Sequence, residues 1–270
     1  MIDLSGLDRG EAEAVVLVGA GAVADSWTPV LDALGNRIPD RSDGTANAYF
    51  ATLVHRLRWL KAMSAKVDVA DKYRSTYVDA FNEALLEYRE VTQSIAAAIQ
   101  GWDGNKLRPD GALIRERLLY REYPFAVVTT NWDFSTQEFL EGHDHDRCTG
   151  IDYLHGTYSV GLYLPGEVVD EPYRGPDNRS EFFTSAFGTV HKLRDASRLI
   201  VWGLRVSPLD AELGFLLQAV ARQRERPFGE VVVVDPDHQA VIRNLRVHLR
   251  DQNYIGVEPS RLGELKLDTY

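Results

Sequence analysis

The stretch FAVVTTNWD, Phe125 to Asp133, passes from buried strand to polar cargo within nine residues. Its first half is apolar and β-branched, the composition of a strand covered on both faces of a parallel sheet. Its second half delivers an asparagine and an aspartate, on either side of a tryptophan, to the strand's carboxyl end. Open parallel sheets bind their ligands in the crevice beyond those ends. The stretch therefore predicts a fold class and the place where a site would lie.

Four other runs share the pattern: Ala14 to Val18, Ile151 to Leu154, Leu199 to Trp202 and Val231 to Val234. Helical periodicity follows the last two, from about Asp210 to Arg224 and from about Asp237 to Leu249. Strand then helix, repeated, implies right-handed crossovers, so the expected fold is α/β, a doubly wound, mostly parallel Rossmann-like sheet. The segment from Gly35 to Arg121 carries no convincing strand. Its two long stretches, AYFATLVHRLRWLKAM and DKYRSTYVDAFNEALLEYREVTQSIAAAI, have helical spacing and predict a helical insertion, residues 35–121, within a single domain spanning 1–270. That layer is either a lid or assembly surface, or a structural layer that buries Tyr49, Phe50, Trp59, Tyr77 and Phe81. The stretch PGEVVDEPYRGPDNR, Pro165 to Arg179, is expected to be a loop because of its prolines and glycines.

The chain has 270 residues, 44% of them hydrophobic, which is enough for a real core. A formal net charge of −10 argues against a nucleic-acid or anionic-membrane surface, where a basic footprint is expected. The N-terminal stretch lacks the apolar centre of a signal peptide, and no later segment is long and apolar enough to span a bilayer, so a cytoplasmic protein is expected. A single cysteine, Cys148, excludes an intrachain disulfide and any four-cysteine zinc module. The loop GHDHDRC places His143, His145 and Cys148 close in sequence, but the spacing fits no structural zinc pattern; it reads as a solvated polar loop, with no metal expected.

In VVLVGAGAVADSW, Gly19 and Gly21 stand at the end of the first strand, where a missing Cβ allows a tight turn and close approach to a pyrophosphate. Gly19, Gly21 and Ala24 satisfy a dinucleotide fingerprint in form. An ordinary Rossmann unit adds an acidic residue at the end of a second strand about 20 residues on. Asp40 and Asp43 lie in a polar stretch with no strand before them, which weakens a simple dehydrogenase reading. The turn could also be only a connection from strand to helix.

Taken in order, the strand ends read GAGA, TTNWD, LHGT, WGLRVSPLDAEL and VVDPD. This series resembles the sirtuin-like family, especially its bacterial branch of NAD-consuming domains found in phage defence. The resemblance runs from about Val15 to about Arg246 and skips the helical segment. It implies that Gly19, Ala20 and Gly21 line the pyrophosphate, and that Thr130, Asn131 and Asp133 face the nicotinamide ribose. His155 would be the catalytic histidine, and Gly203, Arg205, Ser207 and Asp235 would surround the phosphates and the adenosine. A carboxylate such as Asp235 can accept hydrogen bonds from ribose hydroxyls. An asparagine suits the holding of a water or a hydroxyl, and a histidine can take a proton near neutral pH. The plainer alternatives are that Asn131 is a turn former, that Asp133 or Ser135 caps a helix, and that His155 is structural.

Departures from the family pattern refine the expectation. Without a zinc ribbon the chain lacks one wall of the acyl-peptide groove, so a deacylase is not expected and water becomes the acceptor. Val23 stands where a serine is usual, and Arg205 interrupts a glycine-x-serine pattern, with Ser207 two residues late; Arg205 either grips a phosphate or points to solvent. The expected activity is NAD hydrolysis to nicotinamide and ADP-ribose in an antiphage effector, with a non-catalytic NAD or ADP-ribose binder and an ADP-ribosyl transferase as alternatives. Control is expected from homo-oligomerisation or a separately encoded regulatory or sensor protein.

Overall fold

The computed structural model describes residues 13–66, 71–104, 106–119, 123–138, 147–167, 171–174, 176–207 and 210–264. Six strands form one sheet in the order β3-β2-β1-β6-β7-β8: β1 is Ala14–Val18, β2 Phe125–Thr129, β3 Cys148–Tyr153, β6 Arg198–Trp202, β7 Glu230–Val234 and β8 Tyr254–Val257. Every pairing in it is parallel. A separate antiparallel pair, β4 (Gly156–Thr157) and β5 (Gly161–Leu162), forms a hairpin just beyond β3. The strand order reverses between β1 and β6, which makes the ends of those two strands the switch point of a doubly wound sheet.

Each central strand is buried on both faces, so alternate residues enter different cores. Val15 and Leu17 of β1, Leu199 and Val201 of β6, and Val231 and Val233 of β7 pack with Leu193, Leu217 and Leu245. Those three leucines belong to α6 (Pro176–Asp195), α7 (Ala211–Gln223) and α8 (His238–His248). Val16, Val18, Ile200, Trp202 and Val232 face the other way, onto Ile114 and Leu118 of α4 (Asp110–Leu118). Side chains of this size contribute about 1.5–3 kcal/mol each on full burial. The uninterrupted apolar runs in the sequence thus reflect two covers.

Between β1 and β2 the chain forms α1 (Thr28–Leu34), α2 (Asp43–Ala65), α3 (Asp71–Gln100) and α4. The Ser42 hydroxyl accepts from the Thr45 amide at 3.2 Å and starts α2. The first three helices have a core of their own, with Val30, Leu34, Phe50, Leu57, Tyr88 and Ile95, and it takes in Trp132 after β2 together with Leu162 and Leu164 of the hairpin region. Phe50 and Phe81 are buried there, whereas Trp59 is exposed.

A buried ionic cluster fastens the chain after β5 to this layer. Glu167 accepts from Arg174 Nη2 at 2.6 Å, from the Leu164 amide at 2.6 Å, and from the hydroxyls of Tyr88 and Tyr173. Arg174 stacks 3.4 Å from the centre of the Tyr163 ring. Glu171, fully buried, pairs with Arg58 of α2. Each charge is matched, as burial requires.

Three expectations need correction. The third strand begins at Cys148 rather than Ile151, with an irregular register between Phe125 and Val127 that lets an incompletely buried edge strand start early. The expected loop from Pro165 to Arg179 ends sooner, because Pro176 opens α6: proline lacks the amide that a first helical position leaves unused. β8 in the main sheet and the short pair β4 and β5 lie beyond the five strands expected. His143 and His145 lie outside the described residues, and Cys148 opens β3.

Candidate active site

A cavity of about 1090 Å³ opens at the carboxyl ends of the central strands, over the switch point. Gly21, Asn131, His155, Gly203 and Asp235 reach it from the sheet side, and Trp27, Asp43 and Arg108 from the helical side. Its size suits a ligand at or beyond the upper end of the usual small-molecule range.

The glycines of the first turn are explained by proximity to the turn after β6. A Cβ on Gly19 would lie 2.6 Å from the Gly203 carbonyl oxygen, and one on Gly21 2.9 Å from it. Gly203 has φ +59°, and a Cβ there would lie 2.1 Å from the Ala22 nitrogen. Backbone bonds bind the two turns: the Gly21 amide donates to the Gly203 carbonyl at 2.8 Å, and Gly19 to Trp202 at 3.0 Å. The paired turns, with Ala20 beside them, make a floor of bare backbone.

Asn131 and His155 arrive from neighbouring strands. The Leu154 amide donates to the Thr129 carbonyl at 2.8 Å, which ties the end of β3 to the end of β2. Beyond that point the Tyr158 amide donates to the Trp132 carbonyl at 2.9 Å, and Trp132 Nε1 donates to the Tyr163 carbonyl at 3.1 Å. Tyr163 in turn donates its amide to the His155 carbonyl at 2.9 Å. Gly156 permits this: its φ is +70°, and a Cβ would lie 2.0 Å from the Gly161 oxygen. The histidine-glycine pair is thus a histidine and the bend that turns its strand into the hairpin.

Both amide atoms of the Asn131 side chain are shielded from solvent and have no hydrogen-bond partner among the described residues. Leaving a buried amide unpaired costs on the order of 1–3 kcal/mol, so an amide without a protein partner on the lining of a cavity marks a candidate contact for a ligand or a water. Thr130 lines the cavity next to it and donates its amide to the Val18 carbonyl.

Asp133 also borders the cavity, yet its Oδ1 is turned to the Ser135 amide at 2.8 Å and to the Ser135 hydroxyl, at the start of α5 (Ser135–Glu138). Asp133 thus makes the kind of contact that the helix-capping alternative expects of it. Asp235 accepts from the Asp237 amide at 2.8 Å through Oδ1 and remains on the cavity wall. Ser207 lies on the same wall. Arg205 is mostly exposed at the rim and sits 3.8 Å from Asp43 at the start of α2, so solvent is its main surrounding. Val206 between them holds φ +48°, a costly conformation for a β-branched residue and one that tends to accompany functional loops.

His155 has a partner that the sequence did not flag. Its Nε2 lies 3.3 Å from Asp210 Oδ1, and both side chains are largely buried. Burial alone would push the imidazole down, but the Asp210 carboxylate, with Glu212 and Glu167 further off, outweighs it and holds His155 above its usual 6.5. Arg108, just before α4, and Asp110, its first residue, also line the cavity and lay hidden in the helical stretch, as does Asp25 beyond the first glycine turn, which carried no motif of its own. Carboxylates outnumber the two arginines of the lining, Arg108 and Arg205.

Among the described residues no group of three His, Cys, Asp or Glu side chains is arranged to hold a metal ion, and no helix is long and apolar enough to cross a membrane. No family model and no curated protein matches the sequence. A solved structure described as "Structural Basis for the Mechanism and Regulation of Sir2 Enzymes" aligns over 94% of this chain and 90% of that one, with 14% identity and a TM-score of 0.38, too loose a superposition to bear on chemistry.

Proposed function

We propose that the protein binds NAD across the paired glycine turns and hydrolyses it to nicotinamide and ADP-ribose. The observation that carries this reading is the unpartnered Asn131 amide on the same cavity wall as His155, beside a floor of exposed backbone. A pyrophosphate can lie against such a floor, which is bare of side chains. The carboxylates of the lining suit ribose hydroxyls and a cationic nicotinamide ring better than a polyphosphate, which would demand more arginines.

In the proposed reaction the bond from ribose C1′ to the nicotinamide nitrogen breaks, and its electron pair leaves with nicotinamide. The sugar develops oxocarbenium character, so fixed dipoles around it accelerate the step. Asn131 holds the attacking water or a ribose hydroxyl with its donor and acceptor. The water oxygen bonds to C1′, and His155 accepts the proton. Asp133 and Asp235 contribute negative charge near the two sugars.

Purified protein should release free nicotinamide from NAD, and Asn131→Ala should cut that release sharply while NAD still binds in a calorimeter. Intact NAD after prolonged incubation, alone and with any protein encoded beside it, would refute hydrolysis. Heat on mixing without nicotinamide would instead favour a binding module, a reading supported by Val23 in place of serine and by the solvent-facing Arg205. Label from radioactive NAD retained on macromolecule would identify a transferase. The motif series quoted above supports a role in antiviral defence, with activity restrained by self-association or a partner; Trp59, Tyr73 and Leu86, exposed on α2 and α3, are the surface we assign to it. Light scattering that finds only monomers, with and without the neighbouring gene product, would overturn that assignment.

A further inference from the structure

We propose that Asp210 is the positioning residue for His155: its carboxylate holds Nε2 in the protonated state and leaves Nδ1 as the nitrogen that takes the proton during NAD cleavage. The inference rests on the hydrolase reading for its consequence, but on separate geometry for its content. A carboxylate only accepts, so in the neutral ring we assign the hydrogen to the nitrogen 3.3 Å from Asp210 Oδ1. No described residue bonds Nδ1.

Asp210 is itself rigidly held. Its amide donates to the Ser207 carbonyl at 2.9 Å, its carbonyl accepts from the Gly214 amide at 3.2 Å, and its Oδ1 accepts from the Leu213 amide at 3.3 Å, capping α7. The cap alone does not call for an aspartate. Asparagine and serine cap equally well, and Glu212 already supplies negative charge in the first turn of α7. What only an aspartate gives here is charge directly against a buried imidazole. The other acids that face His155 are Glu212 from the same turn and Glu167 from the segment after β5, whose charge is matched by Arg174. Asp210 is the acid in contact.

This separates two functions that one residue performs, and a substitution can separate them too. Asp210→Asn and Asp210→Ser keep the cap and remove the charge. The His155 imidazole should be followed by NMR titration in the intact protein, its signal assigned by its loss in His155→Gln. In both Asp210 variants the His155 midpoint should move to lower pH, and the neutral ring should lose its preference for hydrogen on Nε2. The same midpoint and the same tautomer as in the unmodified protein would overturn the proposal. Because this readout needs no turnover, it remains decisive if NAD is not cleaved, an outcome that would refute the hydrolase reading alone. Where NAD is cleaved, the acid limb of kcat/KM should move to lower pH in Asp210→Asn and kcat should fall. A lowered melting temperature with an unmoved limb would mark Asp210 as a helix cap and nothing more.

Discussion

Gly203 and Ala22 touch so closely that a Cβ on the first would lie 2.1 Å from the backbone nitrogen of the second. The ends of β1 and β6 can share a crevice only because that atom is missing. Gly203→Ala should therefore cost about 2–5 kcal/mol, combining the left-handed backbone penalty with overpacking against a fixed turn. Urea unfolding monitored by circular dichroism measures it, and a loss under about 1 kcal/mol would show that the turns are free to separate.

Asn131→Ala should move activity and stability in opposite directions. Turnover should fall by about 10²- to 10³-fold, the usual consequence of removing one preorganised dipole from a reacting centre. The same change deletes a buried amide that no described residue pairs with, so the urea midpoint should hold or rise. A falling midpoint would mean that the amide is satisfied in the resting state and that its role is structural.

The raised pKa of His155 gives two pH signatures. As the base of the proposed reaction it must be neutral, so the acid limb of kcat/KM should lie above 6.5, and His155→Gln should cost about 10²- to 10⁴-fold in kcat. For stability the sign is the reverse: a group protonated more readily when folded stabilises fully below its unfolded value, and that contribution disappears as pH rises through the folded value. The gap in urea midpoint between the unmodified protein and His155→Gln should be widest in acid and shrink as pH increases through neutrality.

Much of the fold was legible because β1, β2, β6 and β7 are sandwiched between layers, and burial on both sides writes itself as an unbroken apolar run. The edge strands were harder. No residue of β3 is fully buried, and only Val257 of β8 is, so neither carries the full signal. Pro176 closes a run of prolines and glycines that reads as loop, although a proline also suits the first turn of a helix. At the site, Asn131 and His155 were visible as polar cargo at strand ends. Asp210 was visible only as the start of a helix, which it is; its contact with His155 spans 55 positions and exists only in the folded chain.

The charges under the helical layer and those at its rim should respond differently to removal. Arg174→Met leaves Glu167 buried without its cation and should cost about 3–5 kcal/mol. Arg205→Ala breaks only an exposed, loose pair with Asp43 and should change stability by less than about 0.5 kcal/mol. Parallel thermal melts compare the two, and equal losses would contradict the burial difference.

The hairpin that follows His155 belongs to two cores at once. Leu154 and Tyr163 pack with the sheet, whereas Leu162 and Leu164 pack with α2 and α3. The imidazole therefore stands on a short ribbon clamped by both cores, and a push on the outer helices has a route to it that bypasses the paired glycine turns. Loosening that clamp would shift His155 and leave those turns where they are, so two walls of one cavity can be disturbed one at a time.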